Sequence, residues 1–265
     1  MNVFIIEMKA HTKPLIIWCI AILLMVGSGM SKYDVLSSSG QSINDVMSKL
    51  PKALQSMFGI GAFDLSKASG FYELLFLYLV LMTTIHAAML GANIISKEER
   101  DKTTEFLMVK PISRNKIITA KLFAALVNLI ILNAVTLISS IVIVGYFSKN
   151  QSENYNIVLL MGAMFILQLM FMFIGTALAA VSKRAKTAPS VATGIILVAY
   201  LLSTAIDINS RLDNLKYFTP FKYFEAKTII PSGGFDPVFL IMSAVIIIIS
   251  LYITFVFYNK RDLNV

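Results

Sequence analysis

The chain has 265 residues, 57% of them hydrophobic and only 14% charged, with a net charge of +8 and a mean hydropathy of +0.76. A chain this apolar cannot cover an aqueous surface, so lipid must solvate much of it, which excludes an ordinary soluble enzyme. The single cysteine, Cys19, excludes a disulfide framework or a thiolate metal site within one chain.

Residues 1–13 set Phe4, Ile5 and Met8 across a helix from Glu7, Lys9 and His11, a pattern that predicts a short amphipathic helix lying at the membrane interface. Pro14 then opens an apolar run, at a first-turn position where proline is tolerated. The run is long for a signal-peptide core, and Gly27-Ser-Gly-Met-Ser-Lys32 offers no small-x-small cleavage site, so 14–31 is read as a retained first span. Residues 32–70 form a polar outer loop. Within it Ile43, Val46, Met47, Leu50, Leu54, Met57 and Phe58 recur at helical spacing, interrupted by Pro51, which predicts two short surface helices.

Five further spans follow at about 73–96, 118–147, 156–182, 187–206 and 237–258, each long enough to cross a hydrocarbon core of roughly 30 Å. A second outer loop, 207–236, interleaves Phe218, Phe221, Tyr223, Phe224 and Ile229 with Lys216, Lys222, Glu225 and Lys227. This predicts a short amphipathic helix at the outer interface, where aromatic rings are enriched. The fold expected is therefore an all-α membrane protein, residues 1–265 forming a single six-span transmembrane domain.

Six spans put both termini on one side. Fourteen lysines and arginines against six acids fall on that side, while the other holds nine of each. The whole net charge thus lies with the termini, which makes their side cytoplasmic and attributes the basicity to topology beside anionic lipid, with no nucleic-acid partner implied. The abundance of Lys, Asn and Ile points to an AT-rich, bacterial genome and so to a multi-pass protein of the plasma membrane.

Several chemistries are excluded on spacing. No glycine precedes a lysine directly, so there is no phosphate-binding Walker A loop; HExxH and GxSxG are also absent. His11 and His86 sit on different elements without a carboxylate or thiol cluster, so no metal site is expected. The Met- and Phe-rich fourth span surrounds its helix on all sides, which fits adaptable packing better than copper ligation. Asn150-Gln-Ser152 matches a glycosylation triplet that has meaning only in a secreted eukaryotic context. The chain is read as a non-enzyme with no cofactor of its own.

Polar residues inside the spans are His86, Asn93, Asn128, Asn133 and Gln168. They must find partners away from lipid, either as the lining of a pathway or as interhelical hydrogen bonds worth about 0.6 kcal/mol each. Ala87-Ala-x-x-Gly91-Ala92 and Gly175-x-x-x-Ala179 allow close helix approach, within the chain or in a dimer seam.

The connector between the second and third spans is a dense block of both charge signs. Helix formers run from Lys97 to Val109, with Lys97/Asp101 and Glu98/Lys102 spaced for i,i+4 pairing. Lys110 precedes a proline and should end that helix, after which Ser113 can cap the next. The stretch Phe106-Leu-Met-Val109 is too apolar to be left in water, so the product is a helix–break–helix elbow with a face awaiting a partner.

Glu98-Glu-Arg-Asp-Lys-Thr-Thr-Glu-Phe-Leu-Met-Val-Lys-Pro-Ile-Ser-Arg-Asn-Lys-Ile-Ile-Thr-Ala-Lys121 resembles the signature of ABC-2 type transporter permease subunits, E-x-x-x-G-T-x-E-x-L-L-x-x-P-x-S-R-x-x-I-x-x-x-K. Glu98 or Glu99, Thr103, Glu105, Leu107, Pro111, Ser113, Arg114, Ile117 and Lys121 match; Lys102 stands where the family usually has glycine. The six-span layout, the amphipathic start and Thr219-Pro-Phe-Lys-Tyr-Phe224 extend the likeness over the chain. The resemblance implies the permease subunit of an ATP-driven exporter, paired with a second permease subunit and with a separately encoded ABC ATPase that carries ATP and magnesium. It makes the connector a cytoplasmic coupling helix, with Glu98, Glu99, Arg100, Lys102, Thr103, Phe106, Leu107, Pro111, Ser113 and Arg114 as its ATPase-coupling residues. For the cargo, an antimicrobial peptide, drug or other amphipathic molecule comes first and sodium second. A secondary transporter or a non-transporting scaffold are the rival readings, and the absence of intramembrane carboxylate pairs opposes the former.

Overall fold

The computed structural model describes residues 2–38, 47, 49–51, 55, 63–103, 112–148, 154–182, 184 and 186–260. Six helices in it are long and apolar enough to cross a membrane. They are α1 (Val3–Ser38), α2 (Ala68–Arg100), α3 (Arg114–Phe147), α4 (Asn154–Val181), α5 (Ala188–Ile208) and α7 (Pro237–Lys260). Between α5 and α7 lie two 3₁₀ helices, Ser210–Phe218 and Pro220–Lys222, and the short helix α6 (Ala226–Ser232). There is no strand among the described residues.

Burial orders the helices around one pair. In their most apolar windows α2 and α4 are 61% and 56% buried, whereas α5 and α7 are 22% and 17% buried and present most of their apolar surface outward. The reason lies in small residues at the α2–α4 crossing. A Cβ on Gly91 would sit 2.1 Å from the carbonyl oxygen of Met172, and one on Gly175 would sit 2.3 Å from that of Ala88. Each glycine thus receives the other helix's backbone, and Ala87, Ala92 and Ala179 are fully buried beside them. Both small-residue motifs are spent on this one intramolecular contact.

Around this pair, α1 packs on α3 and α2, α5 on α2 and α4, and α7 on α4 and α3. Buried hydroxyls and amides tie neighbours together, as expected for polar groups that lack water. Tyr72 Oη donates to Ser140 Oγ at 2.7 Å, linking α2 to α3, and the Thr176 and Thr254 hydroxyls meet at 2.9 Å between α4 and α7.

Several boundaries depart from the sequence reading. The N-terminal segment is not a separate interfacial helix: α1 runs unbroken from Val3 and contains Pro14. Glu7 explains this, because it lies 2% exposed against α2 and α3 instead of facing water, so the first turns belong to the bundle. The first loop is shorter than 32–70, since α1 reaches Ser38 and α2 begins at Ala68; most of the two predicted surface helices lies outside the described residues. The second loop folds inward. Phe221, Tyr223, Phe224 and Ile229 are buried, with Phe221 against Phe171 of α4 at 5.3 Å and Tyr223 stacked on Phe239 of α7 at 4.8 Å. Only Phe218 and Tyr217 keep the exposed aromatic character expected of an interfacial helix.

At about 1.5 Å per residue, the 36, 33 and 34 residues of α1, α2 and α3 make rods of roughly 50 Å, well beyond a hydrocarbon core of roughly 30 Å. Their excess length at the end shared by the start of α1, the end of α2 and the start of α3 carries the connector.

Candidate functional site: the elbow between α2 and α3

The charged block does not begin a new helix at Lys97. Lys97–Arg100 is the last turn of α2, and the chain then turns sharply. Asp101 is the C-cap, and Lys102 adopts φ 57°, the left-handed conformation. The amide of Thr103 donates to Glu98 O at 2.8 Å and that of Lys102 to Glu99 O at 3.4 Å. These two bonds, six-to-one and five-to-two around a left-handed residue, are a Schellman termination. Such a position favours glycine because a Cβ is strained there. The glycine usual in the resembling family thus has a physical role that Lys102 fills without the conformational ease.

The i,i+4 pairs expected along this turn do not form; Lys97 and Glu98 are taken by other helices. Lys121, one of the most deeply buried side chains in the chain, reaches from α3 to α2. Its ammonium donates to both Glu98 oxygens at 2.5 Å and to Ile94 O at 2.6 Å. Glu7 of α1 lies 3.8 Å from the same ammonium and 3.3 Å from Lys97 Nζ, with His11 Nε2 3.7 Å away. Two carboxylates and two ammonium groups therefore neutralise each other where three helices meet. Burying one alone would be costly, and the paired arrangement makes the junction depend on every member.

Arg100 continues the chain of contacts. Its guanidinium donates to Asn93 Oδ1 at 2.7 Å and to Asp101 at 3.0 Å, and that bond holds the Asp101 carboxyl below its ordinary range. On the far side of the connector, Ser113 occupies the N-cap position of α3 with extended backbone, but its side chain makes no capping bond. Arg114 turns back to the end of α7, donating to Tyr258 O at 3.4 Å and Asn259 O at 3.0 Å, and Asn259 Nδ2 donates to Asn115 at 2.6 Å. A cation at those carbonyls also complements the helix dipole.

Glu98, Arg100 and Arg114 are thus internal ties. The exposed tip consists of Asp101, Lys102 and Thr103 on one side and Ser113 on the other, with Glu99 half-buried between. Phe106, Leu107 and Pro111, together with the coupling helix predicted around them, lie outside the described residues. Glu7 and Lys121 complete the site. Lys121 was visible only as a motif match, and Glu7 only as one polar residue of a terminal helix, because nothing in the local sequence reports a partner on another helix.

The five in-span polar residues do not gather. Asn93 serves Arg100, and Asn128 donates to Ala124 O at 2.8 Å and lies 3.3 Å from Met8 Sδ. Asn133 donates to Gln168 at 3.3 Å, bridging α3 and α4. His86 packs its ring against Trp18 at 4.8 Å. Four of the five are engaged in hydrogen bonds that join or stiffen helices.

A family model described as ABC-2 family transporter protein matches residues 1–263 of the chain. No curated protein matches it.

Proposed function

The chain belongs to the ABC-2 transporter family, a family of membrane-embedded ABC transporter subunits, and on that premise we propose that it is the permease half of an ATP-driven exporter. A separate ABC ATPase carrying ATP and magnesium docks on the elbow, which faces the cytoplasm with both termini. A second permease subunit pairs with this one in the plasma membrane of a bacterium, and the outward apolar faces of α5 and α7 supply surface for lipid and for that partner.

One observation carries this reading. The exposed tip at Asp101–Thr103 is stiffly capped, and its root is bonded to four helices: α2 directly, α1 and α3 through the Glu7–Lys121–Glu98 cluster, and α7 through Arg114. A protein closing against the tip would move those helices together, a hinge-type transition driven from outside the chain. The cargo is an amphipathic molecule such as an antimicrobial peptide or drug. The in-span polar residues are neutral, which favours such a molecule over a bare ion.

Co-purification with the ABC ATPase encoded beside this chain tests the docking. Asp101→Lys combined with Phe106→Ala should abolish the complex while leaving the thermal unfolding of the permease alone unchanged. Complex formation at wild-type level would overturn the assignment.

A further inference from the structure

The end of the bundle opposite the elbow holds a cavity of about 820 Å³ between the end of α5, the 3₁₀ helices, α6 and the start of α7. That volume falls in the range of small-molecule sites. Its aromatic content comes from Tyr217, the stacked Tyr223–Phe239 pair and Phe235. Its lining includes four carboxylates, Asp207, Asp213, Glu225 and Asp236, against three lysines.

The lysines are spent within the chain. Lys222 pairs with Asp207 and Glu225, both at 2.6 Å, Lys227 pairs with the same two carboxylates, and Lys216 pairs with Asp213 at 2.9 Å. Two carboxylates remain partly uncommitted. Asp213 uses one oxygen for Lys216 and is 61% exposed, and exposed Asp236 uses one oxygen to accept from Val238 N at 2.8 Å. Their second oxygens accept no hydrogen bond among the described residues. The Tyr217 ring already lies under an ammonium, that of Lys216, 5.6 Å from its centroid. Carboxylate oxygens in a cavity that is also lined by aromatic rings attract organic cations, through charge and through the ring quadrupole.

We propose that this cavity is a binding site for organic cations with an apolar or aromatic body, held by Asp213 and Asp236 beside the exposed Tyr217 ring. The site does not rest on the ATPase or on transport direction, so its test is separate from that of the exporter reading. An anion of the same size would meet the acidic excess and be disfavoured.

The experiment uses the full chain in phosphatidylcholine nanodiscs, with ethidium as the cationic probe and anilinonaphthalene sulfonate as an anionic one, each corrected for empty nanodiscs. Wild-type protein should bind ethidium at least tenfold more tightly than the sulfonate. Asp213→Asn/Asp236→Asn should weaken ethidium at least tenfold and erase the preference; asparagine still caps α7, so the fold is kept. Asp101→Asn, at the opposite end, should leave ethidium binding unchanged. Equal binding of the two probes by wild type, or ethidium binding unaffected by the double substitution, overturns the proposal.

Discussion

Lys121 of α3 and Glu98 of α2 share two hydrogen bonds at 2.5 Å, in a place where the lysine has no exposed surface. The pair fixes the last turn of α2 to α3, and Glu7 extends it to α1. Removing one partner of such a pair strands a charge; replacing both by apolar groups need not. Lys121→Met alone should therefore destabilise the protein by about 3–5 kcal/mol, while Lys121→Met/Glu98→Leu should recover most of that loss. Unfolding in mixed micelles, read as a double-mutant cycle, measures both. Equal loss in the single and double variants would mean that the pair contributes only through packing.

Lys102 holds a left-handed conformation at the end of α2. Lys102→Gly removes a strain of about 1 kcal/mol and should slow hydrogen exchange of the Thr103 amide roughly fivefold. Lys102→Val, which is β-branched, should accelerate it. Exchange that is indifferent to both substitutions would show that this termination does not hold the tip.

The α2–α4 crossing admits no side chain at two positions. Gly91→Ala and Gly175→Ala each push a Cβ into a backbone carbonyl and should cost about 1–3 kcal/mol. Gly27→Ala and Gly194→Ala, where a Cβ meets nothing within 4 Å, should instead stabilise by about 0.5–1 kcal/mol through helix propensity. Thermal unfolding of the four variants separates close packing from a general effect of glycine.

Burial pushes the Glu225 carboxyl above its ordinary value of 4.5, outweighing the nearby Lys222 and Lys227. A carboxyl raised on folding prefers its protonated form in the native state, so its contribution is complete below that ordinary value and is lost as pH rises through the folded value. The unfolding temperature should fall across that window in the wild type and fall less in Glu225→Gln. A steeper fall in the variant would reverse the sign of the account.

The six helices were legible because uncharged runs of that length have no other stable home in water, and both small-residue motifs named the helices that would approach closely. The ends of elements were harder to read. The first turns of α1 join the bundle, with Glu7 paired to Lys97, 90 residues away in sequence, and no local pattern announces that. The turn at Lys102 was hidden because lysine occupies a position whose usual signal is glycine. The charges of the connector suggest a docking surface, yet Glu98 and Arg114 are spent on neighbouring helices and Arg100 on its own. Local periodicity reports that a residue is charged; only the tertiary fold reports what the charge meets.

In the proposed exporter, the elbow passes movement of a docked ATPase into the helices through Lys121 and Glu98. Spin labels at two exposed positions, Val35 of α1 and Val158 of α4, read that movement without knowledge of the cargo. In the complex with the ATPase, nucleotide should change the Val35–Val158 distance in the wild type. In Lys121→Met/Glu98→Leu the ATPase should still bind and the distance should stay fixed. The same nucleotide-driven change in that variant would contradict the account.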